Sequence, residues 1–136
     1  MILLDTVVVS ELRKTRPNAG VVDYLKQQAA RAVFISALTI GEIESGIERQ
    51  RSKNAQFAVE LEQWLAVMEM EFADAILPVT PAIARVWGRL CVQTGNKSID
   101  NLIAATALCH NLTVVTRNLK HFEPTGARVL DPFSAV

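Results

Sequence analysis

Short apolar runs alternating with stretches at helical spacing constrain this chain more than any other feature. Ile2-Leu3-Leu4, Ala32-Val33-Phe34-Ile35, residues 75–79, residues 112–116 and Arg128-Val129-Leu130 each have the length and composition of a buried strand. Between them, apolar residues recur every three or four positions, the signature of a helix face. Strands that alternate with helices imply βαβ units, a mostly parallel central sheet and helices on both faces. The expected class is therefore α/β, as a three-layer α/β/α arrangement. Half of the 136 residues are apolar but only 6% are aromatic, so aliphatic side chains must fill the interior. That amount of apolar material suits one compact domain spanning residues 1–136.

The helical segments follow from their stripes. Val7, Val8, Val9 and Leu12 predict a short helix, and Val21, Val22, Leu25 and Ala29 a second one after the break at Pro17-Asn18. Ile40, Ile43 and Ile47 mark a third helix, with capping residue types between Ser36 and Thr39. Phe57, Leu61, Trp64, Leu65, Met68 and Phe72 keep the spacing for more than four turns and predict the longest helix. Thr80-Pro81 opens the next, carried by Ile83, Val86, Trp87 and Leu90. After the polar break Gly95-Asn96-Lys97-Ser98, an Ala-rich helix runs from Ile99 to about His110.

Fourteen basic residues balance fourteen acidic ones, so no net field attracts polyanions and any phosphate binding has to be local. The opening Met1-Ile2-Leu3-Leu4 has no basic leader, and no run is long enough to span a membrane, which predicts a cytoplasmic protein. Cys91 and Cys109 fall in helical stretches and are expected as small core residues rather than a bridge. Together with His110 and His121 they form no zinc pattern.

Ligands of open parallel sheets bind beyond the carboxyl ends of the strands, so polar residues just after the apolar runs are the first candidates. Asp5 follows the first run directly, Glu42 lies soon after the second and Asn118 soon after the fourth, while Asp100 starts the Ala-rich helix. Each has an ordinary structural explanation. Asp5 can cap the first helix, Thr39-Ile40-Gly41-Glu42 matches a capping box, and Ser98-Ile99-Asp100 can start its helix with a cap and a favourable dipole. Jointly, however, three carboxylates converging in one crevice repel one another unless a cation neutralises them. Hard divalent ions take oxygen ligands, and such an ion next to a phosphate group supports phosphodiester hydrolysis.

Four segments resemble the successive motifs of PIN domains of the VapC and FitB kind. They are Ile2-Leu3-Leu4-Asp5-Thr6, Thr39-Ile40-Gly41-Glu42-Ile43, residues 100–107, and residues 112–118 followed by Phe122. The resemblance implies a PIN-like nuclease fold in which Asp5, Glu42 and Asp100 ligate Mg2+ or Mn2+, with Asn118 close to the metal and Thr116 supporting the pocket. It also implies an endoribonuclease toxin of a type II toxin–antitoxin system, forming homodimers and silenced by an antitoxin that carries the DNA-binding domain. Substrate contacts are expected from Arg117, Lys97 and Thr6, with Arg13, Lys14, Arg16 and Lys120 also flanking the crevice.

Two departures bear on activity. Val7 stands where relatives of this kind usually carry Asn, and the segment from Gly95 to Asp100 is shorter than usual. Asn118 takes a place that is Asp in some members. The competing readings are a catalytically weakened PIN-like module that binds RNA or protein, and a phosphatase with an Asp nucleophile. The second needs another Asp two residues after Asp5, where this chain has Val7.

Overall fold

A computed structural model of the chain describes residues 1–134. Five strands, β1 (Ile2–Leu4), β2 (Val33–Ser36), β3 (Ile76–Leu77), β4 (Thr113–Val115) and β5 (Val129–Leu130), form one sheet in the order β3-β2-β1-β4-β5. Every pairing is parallel. From β1 the chain winds outward through β2 to β3, then returns to the other side of β1 as β4 and ends at β5. The topological switch point therefore lies between β1 and β4.

Seven helices cover the sheet: α1 (Thr6–Leu12), α2 (Ala19–Lys26), α3 (Ala37–Arg51), α4 (Ala55–Glu71), α5 (Pro81–Thr94), α6 (Ile99–His110) and the four-residue α7 (Leu119–Phe122). The twofold alternation of β1 divides the core. Ile2 and Leu4 join Val8 and Val9 of α1, Val21 of α2, Ile43 and Ile47 of α3, and Leu65 and Met68 of α4 on one face. Leu3 faces the other way, into Ile83 and Leu90 of α5, the alanines of α6 and Phe122 of α7. Ala104, Ala105 and Ala107 are fully buried, and their small side chains let α6 lie close against the sheet. The three-layer α/β/α expectation holds.

Local signals differ from expectation in instructive places. The cap of α3 is Ser36, whose hydroxyl accepts from the Leu38 N–H at 3.1 Å; Thr39 is a fully buried residue inside the helix. The Thr39 to Glu42 capping box is thus not formed, because the chain leaves the extended conformation three residues earlier. α7 had no counterpart in the periodicity, being too short to show one. Cys91 is buried as expected, but Cys109 is exposed on the outer side of α6, and both thiols are free. No helix among the described residues is long and apolar enough to cross a membrane.

Leu3 is fully buried in the middle strand, while Val92 on α5 is 87% exposed. Leu3→Ala is expected to cost about 3–4 kcal/mol in chemical denaturation, whereas Val92→Ala should stay within roughly 0.5 kcal/mol.

Candidate active site

The backbone N–H of Asp5 donates to the Val115 carbonyl at 3.0 Å, which carries the β1–β4 ladder one residue past the strand. Asp5 then leaves the sheet at the switch point and becomes the N-cap of α1. Its Oδ1 accepts from the Thr6 N–H at 2.9 Å and its Oδ2 from the Thr116 hydroxyl at 2.8 Å. The capping explanation for Asp5 is therefore correct, but it is not the whole account. Burial pushes its carboxyl up from 3.8 to about 6. The negative charge of Asp100, and then that of Glu42, push in the same direction, against the hydrogen bonds from Thr116 and Thr6. Asp5 is thus a desolvated carboxyl that senses both other acidic candidates.

Glu42 lies inside α3, one turn beyond the buried Thr39 and beside the buried Ile43. Its Oε1 accepts from the Thr6 hydroxyl at 2.5 Å, and the same hydroxyl meets Thr39 Oγ1 at 3.1 Å. Thr6 was expected to touch substrate; here it links the first turn of α1 to Glu42. Asp100 sits in the first turn of α6, where the cap is Ser98, whose hydroxyl accepts from the Asn101 N–H at 3.1 Å. Its Oδ2 lies 2.8 Å from Nδ1 of His121, a residue the sequence reading considered only as a zinc ligand. Neither Glu42 nor Asp100 caps a helix.

The loop before Asp100 is pinned on several sides. Gly95 closes α5 with φ of 72°, a backbone state that glycine reaches without a Cβ clash. The nearly buried Asn101 donates from Nδ2 to Thr94 Oγ1 and to the Asn96 carbonyl, and Trp87 Nε1 donates to the Ser98 carbonyl at 3.2 Å. The short segment is therefore held in place. Val7, the other departure, turns toward the first core cluster and offers the crevice no polar atom.

The surrounding candidates divide. Thr116 is fully buried and bridges Asp5 to the Asn118 N–H, which donates to its hydroxyl at 3.0 Å. Asn118 begins α7, its side chain making no cap bond, and lines a depression with Arg117, Lys120 and His121. Arg117 itself is stacked on Phe133, 3.7 Å from the ring centre, and Lys14 is paired with Glu11 at 2.8 Å. Glu11, together with the Asn18 N–H it accepts, went unforeseen. Lys14 and that N–H hold its carboxyl below its ordinary value. Lys97 is exposed on the loop before α6.

Two depressions flank the acidic residues. One, of about 340 Å3, is lined by Thr6, Ser10, Arg13, Glu42, Arg49 and Trp64 among others. The second, of about 390 Å3, is lined by Asp100, Asn96, Lys120 and His121 among others. Among the described residues no three His, Cys, Asp or Glu side chains are already drawn together as a ligand set. Glu42 is held by Thr6 and Asp100 by His121, while Asp5 is charge-coupled to both. The donor set is all oxygen, and a cation near Asp5 would offset the burial of its carboxylate and the negative charge of Asp100 and Glu42. These residues fit a hard divalent ion.

A family model for the PIN domain matches residues 2–126. The chain is 35% identical to Toxin FitB of Neisseria gonorrhoeae, over 98% of this chain and 99% of that one. It is 31% identical to VapC ribonuclease Y4jK of Sinorhizobium fredii, over 98% of both. Among solved structures it is similar to FitAcB from Neisseria gonorrhoeae, with a TM-score of 0.79, 33% identity and coverage of 98% of this chain and 99% of that one. A toxin–antitoxin complex from Klebsiella pneumoniae aligns with a TM-score of 0.73 at 25% identity, over 97% of this chain and 98% of that one. Matched by that model over residues 2–126 and by these relatives along nearly its whole length, with Asp5 leaving the sheet at its switch point, this chain belongs to the PIN-domain family.

Proposed function

We propose that this protein is a Mg2+- or Mn2+-dependent endoribonuclease acting as the toxin of a type II toxin–antitoxin pair. The observation that carries the reading is Asp5: a buried carboxyl at the switch point, raised to about 6 and coupled to Asp100 and Glu42. A carboxylate kept in so unfavourable a state is characteristic of a functional site. The names of the relatives, a toxin and a ribonuclease, give the chemistry its class.

Asp5, Glu42 and Asp100 would hold the ion. When bound, a divalent ion polarises the phosphoryl oxygen and makes hydroxide available from water near neutral pH. The chain's own residues then have distinct tasks. Thr116 and the Thr6 N–H keep the Asp5 carboxylate oriented, and Thr6 Oγ1 holds Glu42. Asn118 contributes a neutral amide where a fourth carboxylate would deepen the negative field. Lys97, exposed on the loop before α6, and Lys120, lining the depression beside Asp100, would be the phosphate contacts, while Arg117 would have to leave Phe133 to be one. We further propose an antitoxin protein as partner, a homodimer as the working form, and a larger assembly held on DNA through the antitoxin. The second reading, a weakened binding module, is favoured by Val7, which gives the crevice no polar atom.

Mn2+ separates the two readings: at millimolar concentration it should raise the melting temperature of a metalloenzyme and leave a metal-free binding module unchanged. Asp5→Asn should stabilise the metal-free protein in place of the ion. The folded carboxyl titrates near 6 and the unfolded one near 3.8, so the folded state binds more protons between those values. The metal-free protein therefore loses stability as pH rises from about 4 to about 6, on the order of 2 kcal/mol by pH 7. Asp5→Asn is expected to recover that amount at pH 7 in metal-free thermal scans, with the gain vanishing toward pH 4, and to abolish the response to Mn2+. A variant less stable than the parent at pH 7 would refute the assignment of strain to Asp5.

Growth arrest on expression alone, with RNA cleavage in vitro, is the expected phenotype. Glu42→Gln should relieve both while leaving the circular dichroism spectrum intact. Undiminished toxicity would remove Glu42 from the active site. Asn118→Asp adds one carboxylate and should lower the Mn2+ concentration for half-maximal cleavage by roughly tenfold, an effect of about 1.4 kcal/mol; an unchanged value places Asn118 outside the metal's reach.

A further inference from the structure

Residues 116–121 leave β4, pass the start of α7 and touch an acidic residue at each end. At the first end the Thr116 hydroxyl donates to Asp5 Oδ2 at 2.8 Å. At the other, His121 Nδ1 lies 2.8 Å from Asp100 Oδ2. A carboxylate can only accept, so Nδ1 carries the proton in this contact.

The segment between these ends is stiff. The Thr116 N–H donates to the Leu130 carbonyl at 2.9 Å, tying it to β5. The Asn118 N–H donates to the Thr116 hydroxyl, and the His121 N–H donates to the Asn118 carbonyl at 3.0 Å. Phe122, next to His121, is fully buried in the second core. One short element, anchored in the sheet and in the core, thus grips two carboxylates that the sequence places far apart.

That grip contributes little to stability. The His121 side chain is 61% exposed and Asp100 27%, and ion pairs at such positions are weak. Its effect is on geometry instead. Asp100 and Asp5 repel each other, and Asp100 stands in the first turn of α6 with open solvent within reach. Without a partner its carboxylate would turn outward.

We propose that His121 is a positioning residue: it holds Oδ2 of Asp100 so that Oδ1 stays available to the ion, while Thr116 does the same for Asp5 from the other end of the segment. This deepens the metal-site reading given above and rests on it. Hydrogen-bond partners of ligating side chains commonly change metal affinity by about 10–100-fold when removed.

The test measures Mn2+ binding by calorimetry on the whole protein, beside metal-free melting. His121→Ala should weaken Mn2+ binding about tenfold or more while leaving the metal-free melting temperature unchanged. His121→Asn, whose amide N–H can take the place of Nδ1–H, should recover most of the affinity. Affinity in His121→Ala that equals or exceeds that of the parent overturns the positioning role, and so does a loss that His121→Asn fails to recover. Asp100→Asn separates this from the underlying reading. If it abolishes binding while His121→Ala leaves the affinity at the parent's value, the metal site stands and the role of His121 falls; if the unsubstituted protein binds no Mn2+, both fall.

Discussion

Everything in this molecule depends on the double pairing of β1. Its three residues are buried on both faces, hydrogen-bonded to β2 on one side and β4 on the other, with one further bond from Asp5 to Val115. A shift of one residue would send Leu3 into the first core cluster and Ile2 and Leu4 into the second. The same shift would draw Asp5 away from the switch point. Packing and chemistry are therefore specified by one register, and neither can be altered without the other.

The layers were legible in the sequence because burial on both faces of a parallel sheet demands continuous apolar runs, and because helices such as α4 and α5 show their stripes plainly. The acidic candidates were legible for a related reason: Asp5 directly follows a run and Asp100 starts a helix, and parallel topology sends both to the same end of the sheet. What could not be read was which of several similar residues takes a role. Ser36 and Thr39 are both able to cap, and only the point at which the backbone turns decides for Ser36. Arg117 and Lys14 looked available for phosphate, but each has found a partner nearby, Phe133 and Glu11. His121 belongs to a four-residue helix without periodicity, and its contact with Asp100 joins two segments through the tertiary fold alone.

Charge is arranged on the same principle of local rather than global organisation. The chain is formally neutral, yet its acidic groups fall into two contrasting situations. Glu11 is compensated by a neighbouring lysine and a backbone N–H, which makes it a structural tie. Asp5 receives hydrogen bonds from Thr6 and Thr116, and lies within the field of two other carboxylates. The first arrangement ties α1 to the start of α2, whereas the second sets hydrogen bonds against burial and like charge.

The bond between Asp5 and Thr116 spans 111 residues of chain. A ribosome produces Asp5 that many residues before Thr116, so over that stretch of synthesis β1 has no neighbour on its β4 side. Helices α1 to α4 can gather against β2 and β3 during this time, but the strand that completes the crevice does not yet exist. Contacts of such long range form late and slowly. The nascent chain therefore carries an open strand edge, a point of vulnerability to misassociation, and the bond from Thr116 to Asp5 forms only after β4 is available. Timing is thus written into strand order: the two halves of the crevice floor, Asp5 and Thr116, meet only after the β4 strand has been made.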